Sequence, residues 1–134
     1  MSYYSYIFVE KDMIPEQVAI QAAHVAMKMG SILSDPYRKS ADGKEREWSV
    51  HYKDLHAENL SYVVTPAFTD WEELEEILSN LGVAYETFKD HNYTFEGGNL
   101  VESAEIYTKA LMTYPIEEQN RGILKGLPLW RAKK

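Results

Sequence analysis

Alternating and helically spaced apolar positions divide the chain into blocks that predict both strands and helices. Tyr3 to Glu10 (YYSYIFVE) alternates and is rich in aromatic and β-branched side chains, the pattern of a strand that begins a sheet. Pro15 stands where a first helical turn accepts a residue without an amide proton. Asp12 lies just upstream as a cap, and the spacing predicts a helix running to about Leu33. Along that helix Val18, Ala22, Val25, Ala26, Met29 and Leu33 form an apolar face whose alanines allow close approach to a sheet. Gln17, Gln21, His24 and Lys28 form a separate polar stripe at its edge. Such a stripe is either a solvated face or one wall of a cleft.

Residues 34 to 58 are polar with scattered aromatics and read as a variable linker or insert, a loop with one or two short helices. Leu60 to Ala67 has a continuously apolar centre, which predicts an interior strand. Thr69 and Glu72 then form a capping box before Trp71, Leu74, Ile77, Leu78 and Leu81, and Gly82 supplies the stop of a second helix. Val83 to Lys89 reads as a third strand, DHNYTFEGGN as a loop, Ala104 to Tyr114 as a fourth strand and Pro115 to Lys125 as a last short helix. The order predicts one α/β domain over residues 1–134, a four-stranded mixed sheet with helices packed on its faces.

Composition narrows the chemistry. A chain of 134 residues with no cysteine has no disulfide framework, thiolate metal site or cysteine nucleophile, and suits a reducing, cytoplasmic setting. The start, MSYYSYIFVEKD, lacks the basic and apolar regions of a leader, and no apolar run approaches the roughly 18 residues that cross a bilayer. These features predict a soluble protein. The net charge of −7 opposes broad attraction to nucleic acid, so any RNA contact has to be local. Basic residues cluster from Arg38 to Arg46 and from Arg121 to Lys134, which a solvated surface explains better than a binding patch does. His51 and His56 have no third ligand at an ordered spacing, and Gly97 and Gly98 form a turn pair with no phosphate-loop lysine after them; neither a metal nor an organic cofactor is expected. The acidic run Glu72 to Glu76 suits the start of a capped helix.

At AIQAAHVA the chain resembles the archaeal and eukaryotic type of peptidyl-tRNA hydrolase, whose first helix carries an Ala-Ala-Gln-x-x-His-Ala signature after a strand. Gln21 and His24 fall on the signature positions, with Ile20 and Val25 in place of alanines. The family also has an Asp-x-x-x-Thr segment between its last two strands, and Asp90 to Thr94 (DHNYT) stands at the matching place. The element order agrees over nearly the whole chain. The departures are specific: Gln17 replaces the family's lysine, and Asn92 follows Asp90 where the family prefers small residues. Asn92 suits a left-handed backbone position in such a loop. His91 adds an imidazole beside the retained carboxylate.

The resemblance implies cleavage of the ester between a peptide and the tRNA 3′ end, a reaction needing an activated water and donors for an oxyanion. It implies that Asp90 orients or deprotonates the water, that Thr94 hydrogen-bonds the substrate or Asp90, and that Gln21 holds the network. His24 is then either a buried partner fixing the helix against the acidic loop or a catalytic group. Gln17, Lys11, His91 and Asn92 are the candidate substrate-binding residues, for a tRNA 3′ end or a small nucleotide-like ligand. Asp90 and Thr94 suit equally well an Asx or threonine turn that closes a hairpin. A second class of function stays open, a catalytically degenerate binding module of the same fold that holds a nucleotide, a tRNA end or a protein partner. GLPLW near the end is apolar and rigid, and docks either on the domain itself or on a second copy in a homodimer. The shared prediction of these readings is that Gln21, His24, Asp90 and Thr94 converge at one cleft.

Overall fold

In a computed structural model, residues 2–34 and 55–131 are described. Most of the 34–58 insert, including His51 and the Arg38 to Arg46 cluster, lies outside the described residues. The elements are β1 (Tyr3–Val9), α1 (Pro15–Ser34), β2 (Leu60–Pro66), α2 (Trp71–Asn80), β3 (Tyr85–Glu96), β4 (Asn99–Thr113) and β5 (Ile116–Glu117). Five strands form one mixed sheet, ordered β2-β1-β4-β3, with the expected four joined by β5, which pairs with β1. β1 and β2 are parallel, while β1–β4, β3–β4 and β1–β5 are antiparallel.

β1 does not begin the sheet but runs through its middle, and all of Ser5 to Val9 is buried. Its two side-chain sets serve two layers. Tyr6 and Phe8 pack with Leu74 and Leu78 of α2 and with Leu111, whereas Ile7 and Val9 pack with Val18, Val25 and Met29 of α1 and with Ala110 and Met112. Burial on both faces explains why YIFV is continuously apolar. The interior place assigned to Leu60 to Ala67 is corrected in turn. β2 lies at the sheet edge, with Tyr62 56% exposed and only Thr65 fully buried. Its apolar centre reflects helices covering both faces of a parallel pair rather than a neighbour on each side.

α2 forms as its apolar spacing predicts, with Leu74 and Leu78 fully buried, but its cap is Asp70. The Asp70 carboxylate accepts from the Glu73 amide at 2.8 Å, and Thr69 Oγ1 instead donates to the Glu73 carboxylate at 2.6 Å. A charged acceptor at the more favourable position displaces the threonine by one residue. At the other end Gly82 has φ +73, and the Gly82 and Val83 amides return to Ser79 and Leu78 at 3.0 and 2.9 Å, a Schellman closure.

The largest correction concerns DHNYTFEGGN. β3 continues through it to Glu96 and β4 starts at Asn99, so the expected loop shrinks to the Gly97-Gly98 turn. Both glycines have positive φ, +57 and +84, the twist a two-residue hairpin demands, and Glu96 pairs with Asn99 across it. Alternation of polar with aromatic residues in HNYTFE is strand patterning, and the hairpin continues as a ribbon on which Leu100, Val101 and Ile106 are exposed. The ladder is irregular at two places. Phe88 pairs with Ala110 but Lys89 with Thr108, leaving Lys109 as the extra residue of a bulge, and a second shift falls between His91 and Tyr93.

The last helix predicted over Pro115 to Lys125 is replaced by β5 and two 3-10 turns, Glu118–Asn120 and Gly122–Gly126. Gly122, at φ +56, interrupts any continuous helix there. GLPLW returns to its own domain: Leu127 packs on the α2 side, and the Trp130 amide donates to the Val64 carbonyl of β2 at 2.7 Å. Among the described residues no helix is long and apolar enough to cross a membrane.

Candidate functional site

The polar stripe of α1 lies along β3. Lys28 Nζ donates to the Thr87 carbonyl at 2.8 Å and stands 3.6 Å from the Glu86 carboxylate. One turn earlier the His24 ring stacks on Phe88, centroids 4.6 Å apart and planes 6° from parallel. A further turn earlier Gln21 Nε2 donates to Asp90 Oδ2 at 3.4 Å. Positions 28, 24 and 21 thus meet 86–87, 88 and 90, because three to four helical residues advance about 5 Å and two strand residues about 6.6 Å, close enough to stay in step. The stripe meets Asp90 only at its N-terminal end. Lys28 and His24 bind the helix to the sheet, whereas Gln21 reaches a carboxylate.

His24 is exposed rather than buried, so its role here is an aromatic stack on the strand. Gln21 is 2% exposed, and its Oε1 is a buried atom with no hydrogen-bond partner. Its amide nitrogen faces two acceptors, Asp90 Oδ2 and, at 3.5 Å, Gln17 Oε1. A lysine at position 17 would place a cation here; the amide of Gln17 accepts instead. Lys11 is exposed in the turn between β1 and α1.

On β3, Asp90 Oδ1 accepts from the His91 amide at 2.8 Å. His91 Nδ1 donates to the Ser103 carbonyl at 2.7 Å, which ties the imidazole to β4 and leaves only Nε2 for other work. The Asn92 amide donates to Ser103 Oγ at 3.0 Å, and the Ser103 hydroxyl donates to the Glu105 carbonyl at 2.8 Å. Among the described residues no residue other than glycine has a positive φ, so the left-handed place expected for Asn92 does not arise. Thr94 pairs with Val101 on the ribbon. Four strand residues carry it about 13 Å past Asp90, so the strand separates the pair that a loop would have brought together.

Reading the sequence for motifs misses Lys109, although one lysine within the apolar run of YTKALMTY is a visible irregularity. It is 8% exposed, its Nζ donates to Asn92 Oδ1 and stands 3.8 Å from a Glu10 carboxylate oxygen. The same ammonium lies 5.6 Å from the centre of the Tyr107 ring. Tyr107 is the cross-strand partner of Asp90, and directly opposed residues share a face of the sheet. Tyr107 Oη donates to the Glu105 carboxylate at 2.6 Å; that hydrogen bond, with the nearby negative charge, raises the phenol pKa.

The Gln21–Asp90 and Lys109–Asn92 contacts are therefore two polar pairs that start two residues apart on β3, the first where the N-terminal half of α1 crosses the strand. A cavity of about 390 Å³ lies elsewhere, between Tyr3, Val83, Tyr114 and Ile116, and none of the site residues lines it. Among the described residues no cluster of three or more histidine, aspartate or glutamate side chains is placed to hold a metal ion. No protein-family model matches the chain, and no curated protein sequence matches it.

Proposed function

We propose that this chain is a divergent hydrolase of the archaeal and eukaryotic peptidyl-tRNA hydrolase type, which cleaves the ester joining a peptide to the 3′ end of tRNA. The observation that carries the reading is the Gln21–Asp90 contact at 3.4 Å, which joins positions 69 apart in sequence. The two stretches that resemble the family, AIQAAHVA and DHNYT, have no local reason to meet. The parallel β1–α1–β2 arrangement with helices on both faces agrees with the fold the resemblance implies.

In this reading Asp90 accepts a proton from a water whose oxygen attacks the ester carbonyl. The carbonyl oxygen becomes an oxyanion, the bond to the ribose oxygen breaks as the carbonyl reforms, and the proton passes from Asp90 to the ribose oxygen. Peptide acid and tRNA hydroxyl are the products. Gln21, held from behind by Gln17, fixes the orientation of the carboxylate through the Oδ2 hydrogen bond. Contact with tRNA would be local, because the net charge is −7.

Purified protein with peptidyl-tRNA tests the proposal. Asp90→Asn keeps the size and the Gln21 contact, and its expected effect is a loss of about a thousandfold in kcat with little change in substrate affinity. Robust cleavage persisting in Asp90→Asn overturns the mechanism. Gln17 standing at the lysine position favours the second reading, a catalytically degenerate binding module for a nucleotide, a tRNA end or a protein partner. That reading predicts that the parent protein binds without cleaving.

A further inference from the structure

The Lys109–Asn92 pair lies two residues along β3 from the Gln21–Asp90 contact. A lysine in a strand ordinarily sends its ammonium to water; here a bulge turns Lys109 inward at the point where β1 ends, and little of it is exposed. Burying an ammonium is costly unless it is paired, and its partners are Glu10 from β1, Asn92 from β3 and the Tyr107 ring on β4. The arrangement has a consequence for Asn92. With its side-chain oxygen held by the ammonium, the NH2 group is the part of the amide left to serve another partner, and Asn92 is exposed. A nearby positive charge on the oxygen also polarises the amide and makes its N–H groups stronger donors. Asn92 is two residues from Asp90, and the ammonium that holds it also lies over the ring opposite Asp90. The ladder shifts register between His91 and Tyr93, so the two residues are at most about 6.6 Å of strand rise apart, the space of one reacting group.

We infer that the Asn92 side-chain amide is the oxyanion donor of the Asp90 site, oriented and polarised by Lys109, whose position Glu10 holds. The inference rests on the hydrolase reading for the reaction it serves. Asn92 is the catalytic residue in this assignment and Lys109 a positioning residue. The cation that α1 does not offer at Gln17 acts from β4 through an amide, on a tetrahedral oxyanion carried by an ester or by any substrate of the same geometry.

Two measurements on the full chain test this. In the cleavage assay, Asn92→Ala is expected to lower kcat about a hundredfold while KM stays within about threefold. Lys109→Met is expected to lower kcat about tenfold, Lys109→Arg to restore part of it, and the Lys109→Met loss to vanish when position 92 is already alanine. Asn92→Ala cleaving at the parental rate, while Asp90→Asn is inactive, overturns the inference and leaves the hydrolase reading standing. A parent protein that does not cleave removes the hydrolase reading instead, and the inference is then judged by the second measurement. The Asn92 side-chain NH2 resonances are followed by NMR as inorganic phosphate, a tetrahedral oxyanion, is added. Concentration-dependent shifts in the parent that are lost in Lys109→Met support the oriented donor; no shift in the parent overturns it.

Discussion

The two faces of the sheet are built from the same strands but to different ends. On the α2 face a ten-residue helix with an aspartate cap and a glycine closure buries Leu74 and Leu78 against Tyr6, Phe8 and Leu111. On the α1 face a twenty-residue helix buries Val18, Val25, Met29 and Ile32, but gives one edge to Gln17, Gln21, His24 and Lys28. Even there a fully buried position, Gln21, holds an amide oxygen without a partner. Both faces bury an apolar cluster and each tolerates an unsatisfied buried polar atom, Thr65 Oγ1 on the α2 side and Gln21 Oε1 on the α1 side, but the Gln21 amide also reaches the Asp90 carboxylate. A feature of that kind marks the place where a requirement other than packing selects the side chain.

The contrast can be broken most strongly on the α2 face. Leu78→Ala leaves a cavity in a dry core, and a loss of about 3 kcal/mol in chemical denaturation is expected, with the Asp90 site unchanged in the folded fraction. A loss well below 1 kcal/mol would show that Leu78 is not packed in a core on this face. Next in size is the cap. Asp70→Ala is expected to cost about 1 kcal/mol, and Thr69→Ala, which loses only an exposed hydrogen bond to Glu73, well under half of that. Equal losses would return the cap to Thr69. The smallest effect on stability is expected from Gln21→Leu, which replaces the buried amide with an apolar group of similar volume. The stability should stay within about 1 kcal/mol of the parent or rise, while under the proposed hydrolase function cleavage falls because Asp90 loses its hydrogen bond. A large destabilisation would make Gln21 a structural residue and remove the distinction between the faces.

The elements with strong local signals were legible in the chain. Pro15 opens α1, the leucines of α2 recur at helical spacing, and Gly82 ends it, since caps, breakers and periodicity act within one or two turns. The α1 stripe was legible as well; of the four residues expected to converge at one cleft, Gln21 and Asp90 are in contact, while His24 stacks on Phe88 and Thr94 pairs with Val101 along the ribbon. The stretch from Asp90 to Glu96 was not legible as strand. Its histidine, asparagine and aspartate are poor strand formers taken singly, and only pairing with β4 as far as Asn99 overrides that preference. The central place of β1 and the edge place of β2 were hidden for a related reason: both segments are apolar, and strand order is a property of the whole sheet.

By itself, then, the sequence determined where chain segments turn helical, which helix face is apolar and which residue types stand at the candidate site. Each of these depends on contacts between near neighbours. Tertiary structure alone decided that Lys109 turns inward at a bulge, that Asp90 and Asn92 lie two residues apart on a strand rather than in a loop, and that Thr94 is carried along the ribbon. A bulge depends on a one-residue mismatch between two strands, and no local pattern in either strand records that count.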